Sequence, residues 1–359
     1  MLKVAVICST KRGAIVDFTN DLLYRLDKQF DICAALGYRF DLDIDIPVID
    51  STFEKGKFSA IDIFEYSRVV NWIKGQNPDI ALFCSGNPTH LRLWDSLKDI
   101  GRVAYVHDPS PHSGMTLFRH HLYSSLLHRY YTQGDGLIFS SEALMESAVE
   151  DNSIKTDNLF SIPLPLLSNH VFPDIQDVND RPIDFLFYGR MEYYKGVDVL
   201  LDAAEFLRNE GVNLNITVIS KGDIQKTYPR VKKLPEYLTQ VFDYVPDREL
   251  ASYISKAKCV VLPYRDATGT QIIQSAYYYS TPVLVTRTGA LVEYAGENVA
   301  YIANPDDVSS LANAMRKVLA NESERQRRGI MGKQRLDSYF SDSVISDNYR
   351  HALELVKNV

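Results

Sequence analysis

The feature that most constrains the fold is an alternation of short apolar runs with helical patterns, which occurs twice along the 359 residues. The first series includes apolar runs at 2–8, 80–84 and 103–108, and the second includes 183–189, 214–220 and 258–264. Continuous apolar strands separated by helices are typical of parallel sheets with helices on both faces. The pattern predicts an α/β protein of two Rossmann-like domains. Because open α/β sheets bind ligands beyond the carboxyl ends of their strands, we expect a ligand in a central cleft that both domains face.

A proline-rich stretch at 161–184 separates the two series. It has four prolines, no helical period and the character of an extended linker. We therefore predict four segments, which are an N-terminal domain at 1–165, a linker at 166–182, a second domain at 183–340 and a C-terminal helix at 341–359.

Composition excludes several classes of protein. The 39 Lys and Arg against 46 Asp and Glu give a formal charge of −7, which argues against a general nucleic-acid binder. The four cysteines are far apart and form no CxxC pair, so a structural zinc site is not expected. The N-terminus lacks a signal-peptide pattern, and no apolar window approaches the ~20 residues of a membrane span. We expect a cytoplasmic protein, with attachment to a membrane surface left open.

Two motifs in the second series could bind a diphosphate. In the first, an apolar strand ends at Gly189, and Arg190 and Lys195 follow within six residues. Arg can bind phosphate through a bidentate fork and Lys as a point charge, although such loops also carry solvated cations. In the second, Thr268, Gly269 and Thr270 precede a predicted helix, whose start could bind an anion. A glycine-containing turn without function is the alternative there.

The first series contains three further candidates. His107 follows an apolar strand and could donate a hydrogen bond to a sugar hydroxyl or an acceptor, or it could merely anchor the turn before Asp108-Pro109. His112 lies in the same segment. The stretch 115–132 is rich in His, Arg and aromatic residues, so it is either an amphipathic surface for anionic lipid or a core-packed helix. The D-x-D pattern in 41–45 is interpreted as a half-buried strand and not as a manganese site.

Several segments together resemble retaining glycosyltransferases of family four, which have the GT-B fold. They are Gly189-Arg190 with Lys195-Gly196, the Val245-Pro246-Asp247 turn, Leu262-Pro263-Tyr264, Thr281-Pro282-Val283, the spacing of Gly289 and Glu293, Ser140 to Leu144, and Ile162-Pro163. The order and spacing of these segments cover nearly the whole chain.

The resemblance implies a nucleotide-sugar donor, with a UDP-sugar favoured, bound mostly to the second domain. Arg190 and Lys195 match the diphosphate-binding pair, and Asp243 to Val245 match the segment that meets the base through its backbone. Glu293 matches a carboxylate near the donor ribose or sugar. The donor-binding set on this basis is Gly13, Gly189, Tyr244, Val245, Thr268, Gly269, Thr270, Gln271 and Glu293.

The family also often has a His at the strand end that His107 occupies, and a glycine-rich loop where Gly13 stands. Beside Gly13, Lys11 and Arg12 would lie on the acceptor side together with His112, unless they are exposed loop charges. The resemblance further implies that the C-terminal helix returns to pack on the first domain.

One departure concerns acidic residues. The family often carries two glutamates eight positions apart, and Ala267 and Ser275 stand at those positions. A catalytically silent relative that serves as a binding or scaffold subunit, and a GT-B nucleotide-sugar epimerase, therefore stay open.

The resemblance implies transfer of a sugar to a hydroxyl acceptor with retention, in which His107, Arg190 and Lys195 act in catalysis. It implies no protein nucleophile, no metal and no cofactor. We expect a glycan or lipid-linked glycan of polysaccharide or cell-envelope biosynthesis as the acceptor. For a lipid-linked acceptor we also expect peripheral contact with an anionic membrane at the inner face.

Overall fold

The computed structural model describes residues 1–11, 13–38, 41, 43–51, 60–87, 90–109, 117–151, 154–166, 173, 180–242 and 245–358. The chain divides into two compact units. Unit 1 comprises Met1–Asn169 with Asp342–Val359, and unit 2 comprises His170–Ser341. The predicted site residues Arg12, His112 and Tyr244 lie outside the described residues.

The described residues of unit 1 form a seven-stranded parallel sheet. Its strands are β1 (Lys3–Cys8), β2 (Asp31–Leu36), β3 (Val48–Asp50), β4 (Ile80–Phe83), β5 (Gly101–Val106), β6 (Gly136–Phe139) and β7 (Leu159–Ser161), in the order β3-β2-β1-β4-β5-β6-β7. Its helices before the linker are α1 (Ala14–Leu26), α2 (Ala60–Gly75), α3 (His90–Ser96), α4 (Leu117–Gln133) and α5 (Glu142–Asp151).

Both faces of the unit 1 sheet are buried, as its apolar strands predict. In β1, Val4 and Val6 pack into one core cluster, whereas Ala5 and Ile7 pack into the cluster on the opposite face. Successive side chains of a strand point to opposite faces, so an uninterrupted apolar run fits this position.

Unit 2 has a second parallel sheet, in the order β10-β9-β8-β11-β12-β13. The strands are β8 (Ile183–Tyr188), β9 (Ile216–Ile219), β10 (Leu238–Val241), β11 (Ala257–Leu262), β12 (Val283–Thr286) and β13 (Tyr301–Ala303). The helices are α6 (Val197–Asn209), α7 (Ile224–Thr227), α8 (Asp247–Ser255), α9 (Ile272–Tyr278), α10 (Leu291–Ala295), α11 (Val308–Ala320) and α12 (Glu322–Tyr339). The strand order reverses between β8 and β11, and such a switch point is where open α/β sheets bind ligands.

The last helix, α13 (Asp342–Lys357), belongs to unit 1. Its buried residues Ile345, Tyr349 and Leu353 join the core cluster that also contains residues of α1. Asp342 forms an ion pair with the buried Arg25 of α1. The helix thus packs on the unit in which the chain begins.

The predicted strand at 41–45 is wrong for residues 41 and 43–45, which form no strand, and residue 42 lies outside the described residues. Pairing with β2 begins only at Val48, after Pro47. Proline has no N–H to donate to a ladder, and here its carbonyl accepts a 2.9 Å hydrogen bond from the Ala34 N–H. In the described parts of the chain, no helix is both long enough and apolar enough to cross a bilayer.

Candidate functional site

The turn that follows β8 brings the predicted diphosphate motif to the switch point of unit 2. Gly189 has φ 127° and Gly196 has φ 65°, and between them Tyr193–Lys195 form one 3₁₀ turn. A Cβ atom at Gly196 would lie 2.0 Å from the Pro263 carbonyl oxygen, so glycine is required there. The turn therefore approaches the end of β11 closely.

Lys195 is buried, with a relative exposure of 7%. Its Nζ donates a 2.8 Å hydrogen bond to the Tyr264 hydroxyl, just beyond β11. Burial, and secondarily the charge of Arg190, lower the pKa of Lys195 to about 8 against the weaker opposing effect of Glu192. Within the described residues this ammonium forms no ion pair.

Arg190 is exposed and makes no hydrogen bond or ion pair with any residue that the structure describes. Two cations thus lie close together, and neither forms an ion pair with a carboxylate of the described residues. An uncompensated, partly desolvated positive charge is unfavourable unless an anion binds beside it. The arrangement fits a phosphate or diphosphate group.

A network of hydrogen bonds braces this turn. The Tyr228 hydroxyl donates to the Glu192 carbonyl oxygen at 2.8 Å and accepts from the Val197 N–H at 3.3 Å. The Arg265 backbone N–H donates to the Tyr194 carbonyl oxygen at 2.6 Å. Because both sides of the turn are held, Lys195 has a fixed position relative to β11.

The second predicted motif lies beside the first. The Ile272 N–H donates a 3.2 Å hydrogen bond to Thr270 Oγ1, and α9 begins there. A Cβ atom at Gly189 would lie 3.6 Å from Ile272 Cδ1 and 3.4 Å from Lys195 Nζ. The structure thus brings together Gly189, Lys195 and the start of α9. Of the other predicted loop residues, Thr268, Gly269 and Gln271 are half-buried and Thr270 is buried.

Glu293, in α10, is held within unit 2. Its Oε1 accepts a 2.9 Å hydrogen bond from the Tyr339 hydroxyl, and Arg335 donates to its carbonyl oxygen. Nearby, Gly289 has φ 45°, and a Cβ atom on it would lie 1.6 Å from the Ala267 carbonyl oxygen. The role of Glu293 toward a donor ribose stays a prediction.

Local contacts account for the residues at the two positions where the family often has glutamates. Ala267 is buried beneath the close approach of Gly289. Ser275 donates its hydroxyl to the Gln271 carbonyl oxygen at 2.9 Å, as a serine inside a helix often does. Among the predicted base-contacting residues, Val245 is half-buried before α8.

His107 of unit 1 follows β5 and is half-buried. Its Nε2–H donates a 3.0 Å hydrogen bond to the Cys84 carbonyl oxygen, which can only accept. The ring lies against Phe18 at 4.9 Å and Tyr105 at 4.5 Å between centroids. Burial lowers the pKa of His107, so the neutral ring keeps Nδ1 as an acceptor. It could therefore accept a hydrogen bond from a hydroxyl through Nδ1, whereas the prediction had it donate one.

Gly13 lies where the chain passes from β1 into α1. It has φ 95°, and a Cβ atom there would have no neighbour within 4 Å among the described residues. Lys11 is exposed beside it. Among the described residues there is therefore space beside Gly13, as a loop that admits a ligand requires.

Two residues that organise these loops have no site role in the sequence prediction, although Tyr264 belongs to one of the segments that resemble the family. Tyr264 holds Lys195, and buried His90 holds the end of β1 by accepting a 3.3 Å hydrogen bond from the Ser9 N–H. Burial lowers the pKa of His90 to about 4. Tyr264 ends the apolar run predicted at 258–264, and His90 comes six residues after the run at 80–84, so nearness to the end of a strand at the switch point is the sequence signal for both.

Helix α4 covers most of the stretch 115–132, for which lipid contact and core packing are the alternatives, and one face of this helix packs into the core. Its Tyr123, Leu126 and Tyr130 are buried, and Arg129 pairs with Asp95 at 3.1 Å. His120, His121 and His128 are exposed. No group of three or more potential metal ligands is found within the described ranges.

A surface pocket of unit 2 lies outside the predicted donor site. It has a volume of about 460 Å³ and is lined by Tyr193, Asp198 and Arg265 among others. Its arginines, Arg265 and Arg230, are already paired with Asp198. It is therefore less suited to an anion than the site at Arg190 and Lys195.

The family comparison matches a range that includes the predicted site residues of unit 2. Residues 170–335 match the family described as Glycosyl transferases group 1. The matched range contains the turn after β8, the loop before α9 and α10. The match to this family therefore lies within unit 2.

Curated relatives and a solved structure extend the comparison. A glycogen synthase of Mycobacterium tuberculosis is 29% identical over 163 residues, which cover 44% of this chain and 39% of that protein. The O-antigen chain mannosyltransferase C of Escherichia coli is 26% identical over 240 residues, covering 64% and 62%. The chain thus aligns with less than two thirds of either relative. Anabaena HepE, solved with UDP and glucose, superposes with a TM-score of 0.73 at 13% identity, covering 99% of this chain and 100% of that one. The GT-B fold is confirmed, and the matches support the prediction of a glycosyltransferase.

Proposed function

We propose that this chain is a retaining glycosyltransferase of family four. It moves a sugar from a nucleoside-diphosphate sugar to a hydroxyl group of a glycan or lipid-linked glycan. The observation that carries the proposal is the buried Lys195 ammonium, which has no described ion-pair partner and lies beside exposed Arg190 at the switch point of unit 2. This is a site for a diphosphate.

The chemistry requires stabilisation of a leaving group. When the bond between sugar C1 and the phosphate oxygen breaks, negative charge grows on the phosphate, and Arg190 and Lys195 stabilise it. The acceptor oxygen bonds to C1 on the same face, and its proton passes to the leaving phosphate oxygen. The proposed step therefore needs no protein nucleophile and no metal ion.

The comparisons support the finer parts of the proposal. HepE is solved with UDP and glucose, which favours a UDP-sugar as the donor. The relatives are a glycogen synthase and an O-antigen mannosyltransferase, which favours a polysaccharide acceptor. We propose that the enzyme works at the cytoplasmic face of the membrane, with peripheral contact when the acceptor is lipid-linked.

One observation favours a second candidate, a catalytically silent binding subunit. Ala267 and Ser275 occupy the positions where the family often has glutamates, and Ser275 uses its hydroxyl within its own helix. Such a protein would bind nucleoside diphosphate without turning over the donor.

The test measures binding and turnover across UDP-, GDP- and ADP-sugars. We expect one donor to be converted to nucleoside diphosphate and a glycosylated product with the donor's anomeric configuration, and EDTA to leave the rate unchanged. Binding without turnover would favour the silent subunit, and isomerisation of the sugar would favour an epimerase. Loss of turnover on chelation, with recovery on adding Mn²⁺, would contradict the metal-free mechanism.

A further inference from the structure

The position of the Lys195 ammonium depends on a phenol. Lys195 Nζ donates its hydrogen bond to the Tyr264 hydroxyl at 2.8 Å and lies 4.4 Å from the centroid of the Tyr264 ring. The ring of Tyr194 is 5.6 Å away. Among the described residues, the groups near the ammonium are thus two uncharged tyrosine side chains and the charged groups Arg190 and Glu192.

Tyr264 is itself held firmly. It is 2% exposed, and its carbonyl oxygen accepts a 2.5 Å hydrogen bond from Thr286 Oγ1 of β12. Thr270 lies near the Tyr264 hydroxyl, and its Oγ1 accepts a hydrogen bond from the Ile272 N–H. Tyr264 therefore lies between the Lys195 ammonium and the start of α9.

A phenol fixes the ammonium without neutralising it. Burial raises the pKa of Tyr264 well above its usual range, so the group stays uncharged. A carboxylate in its place would form an ion pair and compete with a bound phosphate for the same charge. Gly189 leaves space beside the ammonium, since a Cβ atom there would lie 3.4 Å from Nζ.

From these contacts we infer that Tyr264 is a positioning residue, which holds the Lys195 ammonium at the diphosphate site. The inference rests on the proposed function. It assigns Tyr264 no contact with the donor.

The first test is the Tyr264→Phe variant, which removes one oxygen and keeps the ring. Its matched control is Tyr277→Phe, because Tyr277 is also buried in unit 2 and donates to the Ala295 carbonyl oxygen. Calorimetry with UDP should show roughly tenfold weaker binding for Tyr264→Phe, the size of a lost charge-assisted hydrogen bond. Tyr277→Phe should bind UDP like the wild type.

The second measurement separates positioning from a general loss of structure. An acceptor hydrogen bond favours the charged lysine, so its loss should shift the pH at which UDP affinity declines to a lower value. Tyr277→Phe should leave this midpoint unchanged. Combined with Lys195→Met, the Tyr264→Phe change should produce no further loss of affinity.

The outcomes distinguish the two proposals. Wild-type protein that binds no nucleoside diphosphate at all, or Lys195→Met that binds as tightly as wild type, overturns the proposed site and with it the role of Tyr264. If binding depends on Lys195 but Tyr264→Phe changes neither affinity nor the pH midpoint, only the positioning role is overturned.

Discussion

The Arg265 guanidinium makes a two-pronged ion pair with the Asp198 carboxylate, with N–O distances of 2.9 and 3.0 Å. The same guanidinium donates to the Tyr193 carbonyl oxygen at 2.9 Å, and Arg230 donates to Asp198 at 2.7 Å. Asp198 lies in the first turn of α6, where a carboxylate also interacts favourably with the helix dipole. The pair therefore ties the turn that contains Lys195 to both β11 and α6.

The first prediction concerns this ion pair. Asp198→Asn should lower the free energy of unfolding by about 3 kcal/mol, because it removes one partner of a buried pair. The matched control is Asp202→Asn, since Asp202 pairs with Arg230 near the surface, where ion pairs contribute about 0–1 kcal/mol. Denaturant unfolding measures both, and equal effects would contradict the assigned role.

Asp198 also gives unfolding a pH dependence. Burial alone would raise the pKa of Asp198, but hydrogen bonds and charge from Arg265 and Arg230 outweigh burial and hold it below its usual range. Its stabilisation is thus present above the ordinary carboxyl pKa of about 4 and is lost as the pH falls through the lower folded-state pKa. Acid titration of unfolding should be shallower for Asp198→Asn than for wild type.

A second prediction is that Lys195→Met raises stability while it weakens nucleotide binding. The pKa of Lys195 is lowered to about 8, so the buried ammonium destabilises the fold below that pH by about 3 kcal/mol. This penalty fades as the pH rises from about 8 toward the ordinary lysine pKa of about 10.4. Thermal unfolding should show a higher Tm for Lys195→Met at pH 7, unlike the exposed control Lys226→Met. A lower Tm for Lys195→Met than for the wild type would mean that the Lys195 charge is compensated in the folded protein.

The third prediction is a proton linked to donor binding. Above pH 8 part of the free protein carries a neutral Lys195, because burial lowers its pKa to about 8. A bound diphosphate favours the charged form, so binding should take up a proton and weaken as the pH rises. Calorimetry in buffers of different ionisation enthalpy measures this uptake. Lys195→Met should bind UDP weakly and without the uptake.

The fourth prediction concerns Arg190. Arg190→Ala should lower kcat/KM by roughly 10²–10³, which corresponds to about 3–4 kcal/mol of lost transition-state stabilisation. Its side chain is exposed and makes no hydrogen bond with the described residues, so the Tm should stay unchanged. Exposed Arg248 supplies the control variant Arg248→Ala. Wild-type turnover in Arg190→Ala would exclude the proposed role.

The fifth prediction separates the roles of the two units. His107→Ala should lower the transfer rate far more than the affinity for nucleoside diphosphate, because His107 belongs to unit 1 and the proposed diphosphate site to unit 2. His128→Ala, on the exposed face of α4, is the control. Calorimetry and product analysis give the two quantities. Equal losses of affinity and rate would make His107 a donor-binding or structural residue.

Sequence alone determined the fold class and predicted the region of the site. Uninterrupted apolar runs such as that of β1 predict strands buried on both faces, because a side-chain period of two leaves no polar face. Gly189, Arg190 and Lys195 are predicted to share one site because they lie close together in the chain. The strand at 41–45 was predicted wrongly because pairing begins only after Pro47.

Only the tertiary structure decided which residues surround Lys195. Tyr264 is far from Lys195 in sequence, and it reaches Lys195 because β8 and β11 are neighbours in the sheet. Burial of the ammonium and the lowered pKa of Lys195 follow from this packing. A local sequence motif shows which charged residues a loop contains. The solvation and the partners of those residues depend on the order of the strands in the sheet, which no local sequence pattern specifies.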